Sequence, residues 1–239
     1  MNKTLLLTGM LALCASPAFA ASPGVDLSFV ACPLDAGSTQ NGTIDCAGGG
    51  ILTALVTFAP AEAISDLVAI DTTIDFYVQV GDINTTANFW DFATVNQAAI
   101  SLNHLRPASG CSAPIAYADT WNAPNANAVW GALVRSPQNV RMAGGAYRPN
   151  NFAAAAGQNL FGFQISLHGS TSVEAGGSAN GCTYNTNVIV QQALPQSAAG
   201  NPTTTLTGPS NNASPFSTIN AQYVPAKRQS WAQLKSLYR

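Results

Sequence analysis

Hydrophobic and polar residues alternate along much of this chain with a period of two. The longest alternating stretch covers 67–80, where Ile70, Ile74, Phe76 and Val78 are separated by mostly polar residues. Because successive side chains of a strand point to opposite faces, such a stretch predicts one long half-buried strand or two strands with a bend. Further stretches of strand type occupy 25–30, 52–58, 128–134, 140–143, 161–167 and 187–194.

Clusters of turn-forming residues separate these stretches. Examples are 107–110, 122–125 and 176–181, which are rich in glycine, proline, asparagine and serine. Strands divided by such turns, without helical periodicity, are typical of two packed sheets. We therefore predict an all-β fold, an antiparallel β-sandwich of jelly-roll type, over residues 21–195. The one place where a short helix fits is Ala153 to Ala156.

The first twenty residues have the organisation of a cleavable secretory signal peptide. Lys3 gives a positive start, Leu5 to Ala15 is apolar, and Ala18-Phe19-Ala20 supplies small residues for the peptidase. The apolar part is too short to span a bilayer. We therefore predict signal peptide 1–20 and an exported product, extracellular or on the cell surface, with the periplasm as the alternative.

Residues 196–226 are rich in serine, threonine, proline and asparagine. They form either a linker or a covering loop, and we favour a covering loop with one edge strand because Phe216 and Ile219 have little use in a linker.

Residues 227–239 predict a short basic amphipathic helix. Ser230 and Gln233 match a capping box, and apolar residues follow at helical spacing. The segment is a cap on the domain, an anchor for an anionic surface, or a tag for a partner, such as a cell-surface or envelope component. Its candidate contact residues are Trp231, Leu234, Lys235, Tyr238 and Arg239.

Charge narrows the range of partners. Charged residues make up only 8% of the chain, and the formal net charge is −2. Removing the first twenty residues takes away Lys3 and leaves eight cations against eleven acids, a charge of −3. Four of those cations lie within 227–239, so the rest of the chain lacks the basic face that nucleic acid binding needs.

Four cysteines remain after signal cleavage: Cys32, Cys46, Cys111 and Cys182. An even number in an exported chain predicts two disulfides. Three pairings are open, and we favour Cys32 with Cys46 and Cys111 with Cys182, because the first pair flanks a turn-rich segment. A zinc site is the rival interpretation, but the sequence has no C-x-x-C spacing.

The sequence contains no strong catalytic motif. It lacks the G-x-S-x-G nucleophile pattern, and its two histidines, His104 and His168, fit surface or turn positions. A glycosidase needs two carboxyl groups across the sugar bond, but Asp71 and Asp75 would be about 13 Å apart on one straight strand. The other candidate acids are Asp82, Asp91, Asp119, Glu62 and Glu174. We interpret them as solubilising acids and predict no cofactor.

Two weaker site hypotheses remain. Asp82, Asn84 and Thr86 offer oxygen ligands to calcium, although their spacing is far from an EF-hand loop, and we predict no metal site. Aromatic residues offer a sugar-stacking platform, which would leave them exposed and coplanar. Its candidate members are Trp90, Trp121, Trp130, Tyr117 and Tyr147. In the alternative, Trp90 and Trp130 belong to the core and the others cap sheet edges.

Motifs at both ends of the mature chain support a family resemblance. Gly24-Val-Asp-Leu-Ser28 precedes Cys32, Cys46 precedes a Gly-rich turn, and the chain closes with Ser230-Trp-Ala-Gln-Leu-Lys-Ser-Leu-Tyr-Arg239. The chain resembles a family of uncharacterised secreted bacterial proteins with one β-rich domain and a Trp-x-x-(Val or Leu)-Lys-Ser-Leu-Tyr-Arg ending. It departs from that family in having fewer cysteines around Cys182. The resemblance implies secretion and a β-sandwich, and no catalytic residue.

The sequence therefore predicts an exported, non-catalytic structural or interaction protein of the cell exterior. The alternative is a carbohydrate-binding module or a weak glycan-active enzyme that uses the aromatic and acidic residues above.

Overall fold

A computed structural model describes residues 22–35, 37–111, 117–210 and 215–220. The predicted signal peptide and the predicted terminal helix lie outside these residues. The described part contains ten strands: β1 Gly24–Phe29, β2 Asn41–Gly42, β3 Ile51–Ala59, β4 Ile64–Val78, β5 Ile100–Asn103, β6 Asn127–Ser136, β7 Asn139–Ala154, β8 Leu160–His168, β9 Thr186–Ser197 and β10 Phe216–Ile219. Its helical elements are four 3₁₀ turns, Asn88–Trp90, Gln97–Ala99, Gly169–Thr171 and Val173–Ala175.

The strands form two sheets. The four-stranded sheet has the order β1-β3-β8-β5, and the six-stranded sheet has the order β2-β10-β9-β4-β7-β6. All pairs are antiparallel except β2 with β10, which is parallel. Only the β6–β7 and β9–β10 connections in the described chain stay within one sheet. Every other connection crosses between the sheets, which is the winding of a jelly roll.

The predicted all-β sandwich is confirmed. Each of the seven predicted strand stretches corresponds to a strand, namely β1, β3, β4, β6, β7, β8 and β9. The short helix expected at Ala153 to Ala156 is wrong, since β7 continues through Ala154. This strand extends well beyond the predicted 140–143 because pairing with β4 on one side and β6 on the other keeps its glycine-rich middle extended.

Aromatic side chains fill the core between the sheets. Phe89, Trp90 and Phe92 come from the chain after β4. Phe92 packs edge-to-face on Phe76 of β4, and Trp90 packs edge-to-face on both Phe89 and Phe92. The Trp90 indole N–H donates to the carbonyl of Gly181 at 2.8 Å, so the polar atom of this buried ring is satisfied. A short segment outside the sheets thus supplies much of the core.

Two disulfides fasten the sandwich, but the favoured pairing was wrong. The structure joins Cys32 to Cys111 and Cys46 to Cys182, with Cα–Cα distances of 4.9 and 6.0 Å. The bonded cysteines are 79 and 136 residues apart in sequence. Cys32 follows β1 of the four-stranded sheet and Cys46 follows β2 of the six-stranded sheet, so these two cysteines are carried to different places although they are close in sequence.

The described part of 196–226 runs over the domain. Leu206 exchanges two backbone hydrogen bonds with Ala193 of β9. Ser210 donates to Asp26 of β1, and β10 then pairs with β9 and β2. Within the described ranges, no helix combines the length and the hydropathy that crossing a membrane requires.

Candidate functional site

The candidate site lies on the side of the six-stranded sheet that is turned away from the four-stranded sheet, which we call the outer face. Strand register places side chains there in rows across β9, β4, β7 and β6. One row contains Leu194, Asp71, Gly145 and Val129, and the next contains Gln192, Thr73, Ala143 and Gly131. Small residues in β7 and β6 therefore lie beside larger residues of β9 and β4.

A shallow depression of about 390 Å³ follows from this distribution. Its floor includes Gly144 and Gly145, and polar groups of Asp71, Thr73 and Gln192 line one side. A Cβ at position 145 would lie 2.0 Å from the Ile70 carbonyl oxygen, so only glycine allows the backbones of β7 and β4 to approach this closely. The missing side chains of these glycines therefore form the depression, and at Gly145 the missing side chain also permits the close pairing of β7 with β4.

An ion pair lies one row beyond the depression. Arg141 of β7 donates from Nε and Nη2 to the two carboxylate oxygens of Asp75 on β4, each at 2.7 Å. The Tyr77 hydroxyl adds a bond of 3.3 Å to the same carboxylate, which is fully buried although it belongs to the outer face. Hydrogen bonding to Asp75 raises the pKa of the Arg141 guanidinium above its ordinary value. The pair is thus a fixed part of the sheet.

Strand β6 forms one border of the site and an open edge of the sheet. Among the described residues it pairs with β7 alone. No residue of β6 is fully buried, and its outer row exposes Val129 by 54% and Leu133 by 61%. Large exposed aliphatic residues beside an unpaired strand edge are typical of an interaction surface.

The other sheet edges in the described chain are short or covered. On the free side of β1, the Val25 N–H donates to the Gly208 carbonyl of the covering segment, and Phe29 exchanges backbone hydrogen bonds with Thr39 of the loop before β2. Strand β2 has two residues and β5 has four. Within this part of the chain, β6 is therefore the one long strand with an uncovered edge.

The structure corrects most of the sugar-stacking hypothesis. Trp90 and Trp121 are fully buried, and Tyr117 is 2% exposed with its hydroxyl bonded to the Pro33 carbonyl. These three rings therefore lack the exposed faces that a sugar would need. Tyr147 is 41% exposed on the outer face, and it lies two residues along β7 from Gly145. Trp130 is half-buried and packs against the core.

The candidate carboxylates are dispersed, and most of them bond to nearby loops. Asp91 accepts from Ala93 and Thr94, Glu62 accepts from Thr204, and Glu174 accepts from Ser172. Asp71 accepts from Gln196 at 3.0 Å and is the acid that lines the depression. One oxygen of Asp119 is buried and has no hydrogen-bond partner in the described chain.

The calcium hypothesis concerned Asp82, Asn84 and Thr86, which lie together in one turn. The Asp82 carboxylate accepts from the backbone and side-chain N–H groups of Asn84 at 2.9 and 3.0 Å. The Thr86 hydroxyl oxygen accepts from the Asp82 backbone N–H at 3.0 Å. In the described residues, no group of three acids, histidines or cysteines is placed to hold a metal ion. These oxygens therefore stabilise their own turn.

The structure also brings together a pair that the sequence did not indicate. The Ser101 hydroxyl of β5 lies 2.9 Å from Nε2 of His168 at the end of β8. Within the described chain, no carboxylate bonds to the other nitrogen of His168, so the pair lacks the third member of a catalytic triad. Pairing of β5 with β8 creates the contact, and the four residues of β5 gave too short a pattern to predict it.

The predicted contact residues of the terminal segment lie outside the described residues. They are Trp231, Leu234, Lys235, Tyr238 and Arg239.

Fold and covalent framework together define an all-β protein, a sandwich of two sheets fastened by two disulfides. No protein-family model matches the chain. A comparison with curated proteins gives no match either. Among solved structures, the chain is similar to the cohesin module from Clostridium perfringens ATCC13124 family 33 glycoside hydrolase, at 10% identity and a TM-score of 0.33. That similarity covers 84% of this chain and 100% of the module, and it is too low to bear on function.

Proposed function

We propose that the chain is an exported, non-catalytic structural or interaction protein of the cell exterior. Two observations support export. The first twenty residues have the organisation of a signal peptide, and the four cysteines of the mature chain form two disulfides. Disulfides of this kind form and persist in oxidising compartments. The motifs at both ends of the mature chain resemble those of a family of secreted bacterial proteins, and we include this resemblance as further support for export.

The observation that carries the interaction role is the outer face with its β6 edge. Val129 and Leu133 are exposed on β6, and Tyr147 is exposed on the neighbouring strand. Exposed apolar side chains beside free backbone hydrogen-bonding groups offer a partner both apolar contact and strand pairing. Val129, Leu133 and Tyr147 thus present apolar surface beside one edge of the sheet, where a partner would cover it.

The positions of the acids support a role without catalysis. Asp75 is neutralised by Arg141, Asp91 holds the chain after its own 3₁₀ turn, and Glu62 holds the covering segment through Thr204. These are stabilising contacts between elements of the fold. A hydrolytic site would need such groups to converge on one reacting bond.

The terminal segment is the second part of this proposal. Its cations at 227, 228, 235 and 239 contrast with an acidic body, and its apolar residues follow helical spacing. We propose that it contacts a cell-surface or envelope component, with capping of the domain as the competing role.

Fractionation of cells that produce the full-length protein, or a version ending at Ala226, tests this proposal. Intact mass establishes cleavage after Ala20, and immunoblots locate each mature chain. We expect the full-length protein on the cell surface and the folded truncated protein in the medium. An unprocessed chain in the cytoplasm would contradict export. Equal location of both forms, with lower stability of the shorter one, would assign the segment to capping.

Carbohydrate binding remains the second candidate, and Tyr147 beside the depression is the observation that favours it. Asp71, Thr73 and Gln192 would supply the hydrogen bonds that a sugar requires. Calorimetric titration of a panel of cell-wall oligosaccharides tests this function. Binding that Tyr147→Ala abolishes and Tyr77→Ala preserves would support it, because both tyrosines are similarly exposed on the same face.

A further inference from the structure

Strand β6 lacks the features with which proteins commonly protect a sheet edge. From Asn127 to Val134 it contains no charged residue and no proline, and its register with β7 is regular over that length. Edge strands are commonly protected by charges, prolines, bulges or short length. The backbone N–H and C=O groups on the side of β6 away from β7, which pair with no strand among the described residues, therefore form a regular template for another strand.

The inner side of β6 is also incompletely covered. Ala128, Trp130, Ala132 and Val134 alternate with the outer residues, and each is only half-buried. Trp130, Ala132 and Val134 pack against the core. A strand added beside β6 would cover this row, and removal of apolar surface from water favours such pairing.

We propose that β6 pairs antiparallel with β6 of a second copy of this chain and so continues the six-stranded sheet across a two-fold axis. The inference deepens the proposed interaction role and rests on it. A two-fold axis between antiparallel strands must be perpendicular to the sheet, so outer-face residues meet outer-face residues. This condition leaves only registers in which a residue of β6 lies opposite itself.

The register centred on Gly131 gives the best set of neighbours. On the outer face it places Val129 opposite Leu133 and Asn127 opposite Arg135, and on the inner face it places Trp130 opposite Ala132 and Ala128 opposite Val134. Apolar residues meet apolar residues, the large Trp130 meets a small partner, and no like charges meet. Gly131 lies on the axis, and its outer side is open space.

Neighbouring registers are poorer. Centring on Trp130 would place two indole rings opposite each other in the inner layer. Centring on Ala132 would place the charged Arg135 opposite Val129. Electrostatics permit association, because the formal net charge of the mature chain, eight cations against eleven acids, is only −3 and long-range repulsion between copies is therefore weak.

Opposite charges introduced at position 131 test the proposal. In Gly131→Lys or Gly131→Glu, two like charges would face each other across the axis, and the open space there lets each monomer fold. We expect the mature wild type to form dimers in sedimentation velocity over a wide concentration series. The dissociation constant of the dimer formed by either variant alone should be at least about fivefold higher than that of the wild type. This is the effect expected of one like-charge pair opposed across two strands. An equimolar mixture of the two variants should recover dimers.

Matched controls separate charge at the axis from other effects. Gln191→Lys and Gln191→Glu put the same charges at an exposed position of β9, an interior strand of the same sheet, and should leave dimerisation unchanged. Gly131→Thr, which is neutral, should also preserve it. Circular dichroism verifies the fold of every variant.

A cysteine experiment tests the register. Gly131→Cys should form an intermolecular disulfide under mild oxidation, because both copies of the residue lie opposite each other. Val129→Cys should not, since its two copies would be about 14 Å apart along the strands. A wild type that stays monomeric at every concentration would overturn the proposal and leave the β6 edge to a strand from another protein, with the exported interaction role intact. A dimer unaffected by the position 131 charges would also overturn it.

Discussion

Arg141 and Asp75 join strands β7 and β4 through two hydrogen bonds of 2.7 Å, and the carboxylate of Asp75 is fully buried. The arrangement satisfies a charge that the fold has removed from water. Both residues lie on adjacent interior strands of the six-stranded sheet, so the ion pair fixes the surface on which the proposed functions depend.

Arg141→Met should destabilise the protein by about 2 to 3 kcal/mol. The substitution keeps an apolar side-chain stem but leaves the Asp75 carboxylate buried without its cation, and this cost exceeds that of losing an exposed pair. The partial exposure of Arg141 keeps the value below that of a fully buried pair. Urea unfolding followed by tryptophan fluorescence measures the change.

Arg135→Met is the matched control, because Arg135 is an exposed arginine on the adjacent strand. It should change the free energy of unfolding by less than about 0.5 kcal/mol. Equal effects of the two substitutions would show that the Asp75 carboxylate does not depend on Arg141.

The two disulfides should appear as defined pairs in peptide mapping of the unreduced protein. We expect peptides containing Cys32 and Cys111 to be linked, and likewise those containing Cys46 and Cys182. Replacing either pair with alanines should cost about 3 to 5 kcal/mol of stability, because each bond closes a long loop in the unfolded chain. Denaturant midpoints of the two double variants measure this cost.

A linked peptide containing Cys32 and Cys46 would contradict the observed pairing. Full reduction supplies the comparison, since it should lower the denaturant midpoint at least as far as either double variant does.

The strand alternation around Ile74 and Phe163 was sufficient to predict the sandwich, because period-two burial is a local property of each strand. The disulfide pairing was not predictable from loop length. It depends on which strand ends meet after the chain has crossed between sheets, and this is a property of the topology. The length of β7 was also underestimated, because Gly144 and Gly145 look like a break although pairing on both sides keeps them extended.

The site was predicted less well than the fold. The sugar-stacking hypothesis would have left Trp90 and Trp121 exposed, and its alternative assigned Trp90 to the core but Trp121 to a sheet edge. The structure buries both rings. The outer-face depression arises from small residues at Gly131, Ala143 and Gly145 that become neighbours only through strand register. No single segment of the sequence contains all of these small residues. The exposed apolar row of β6, by contrast, can be read from the alternation of residues within that one strand.

Stability should fall in acid partly because of Asp66. The backbone N–H of Ala199 and the hydroxyl of Ser197 donate to its carboxylate, and these bonds hold its pKa below the ordinary value of 3.8. A lowered pKa in the folded state favours folding when the group is ionised. This contribution is therefore fully present above about pH 3.8 and is lost as the pH falls through the lowered pKa of the folded protein.

Asp66→Asn should therefore be less stable than the wild type at neutral pH, and the gap should narrow as the pH falls below 3.8. Chemical denaturation over a pH series measures the gap. Ser197→Ala, which removes one donor, should show a smaller gap with the same trend. A gap that stays constant with pH would mean that ionisation of Asp66 is not linked to folding.

Two glycines on neighbouring strands should respond in opposite ways to alanine. A Cβ at Gly145 would lie 2.0 Å from the carbonyl oxygen of Ile70, so the backbones of β7 and β4 would have to separate. A Cβ at Gly131 would meet open space. We expect Gly145→Ala to destabilise the monomer by about 3 kcal/mol through overpacking. Gly131→Ala should stabilise it by about 0.5 kcal/mol, because the unfolded chain loses conformational freedom.

Thermal unfolding at low protein concentration measures both effects without a contribution from association. The comparison is well matched, since each substitution adds one methyl group to a β-strand glycine of the same sheet. If Gly145→Ala were tolerated as well as Gly131→Ala, the close approach of β7 to β4 would not depend on the missing side chain. The close packing of the two backbones would then not require glycine at the floor of the depression, and a side chain could fill that floor without loss of stability.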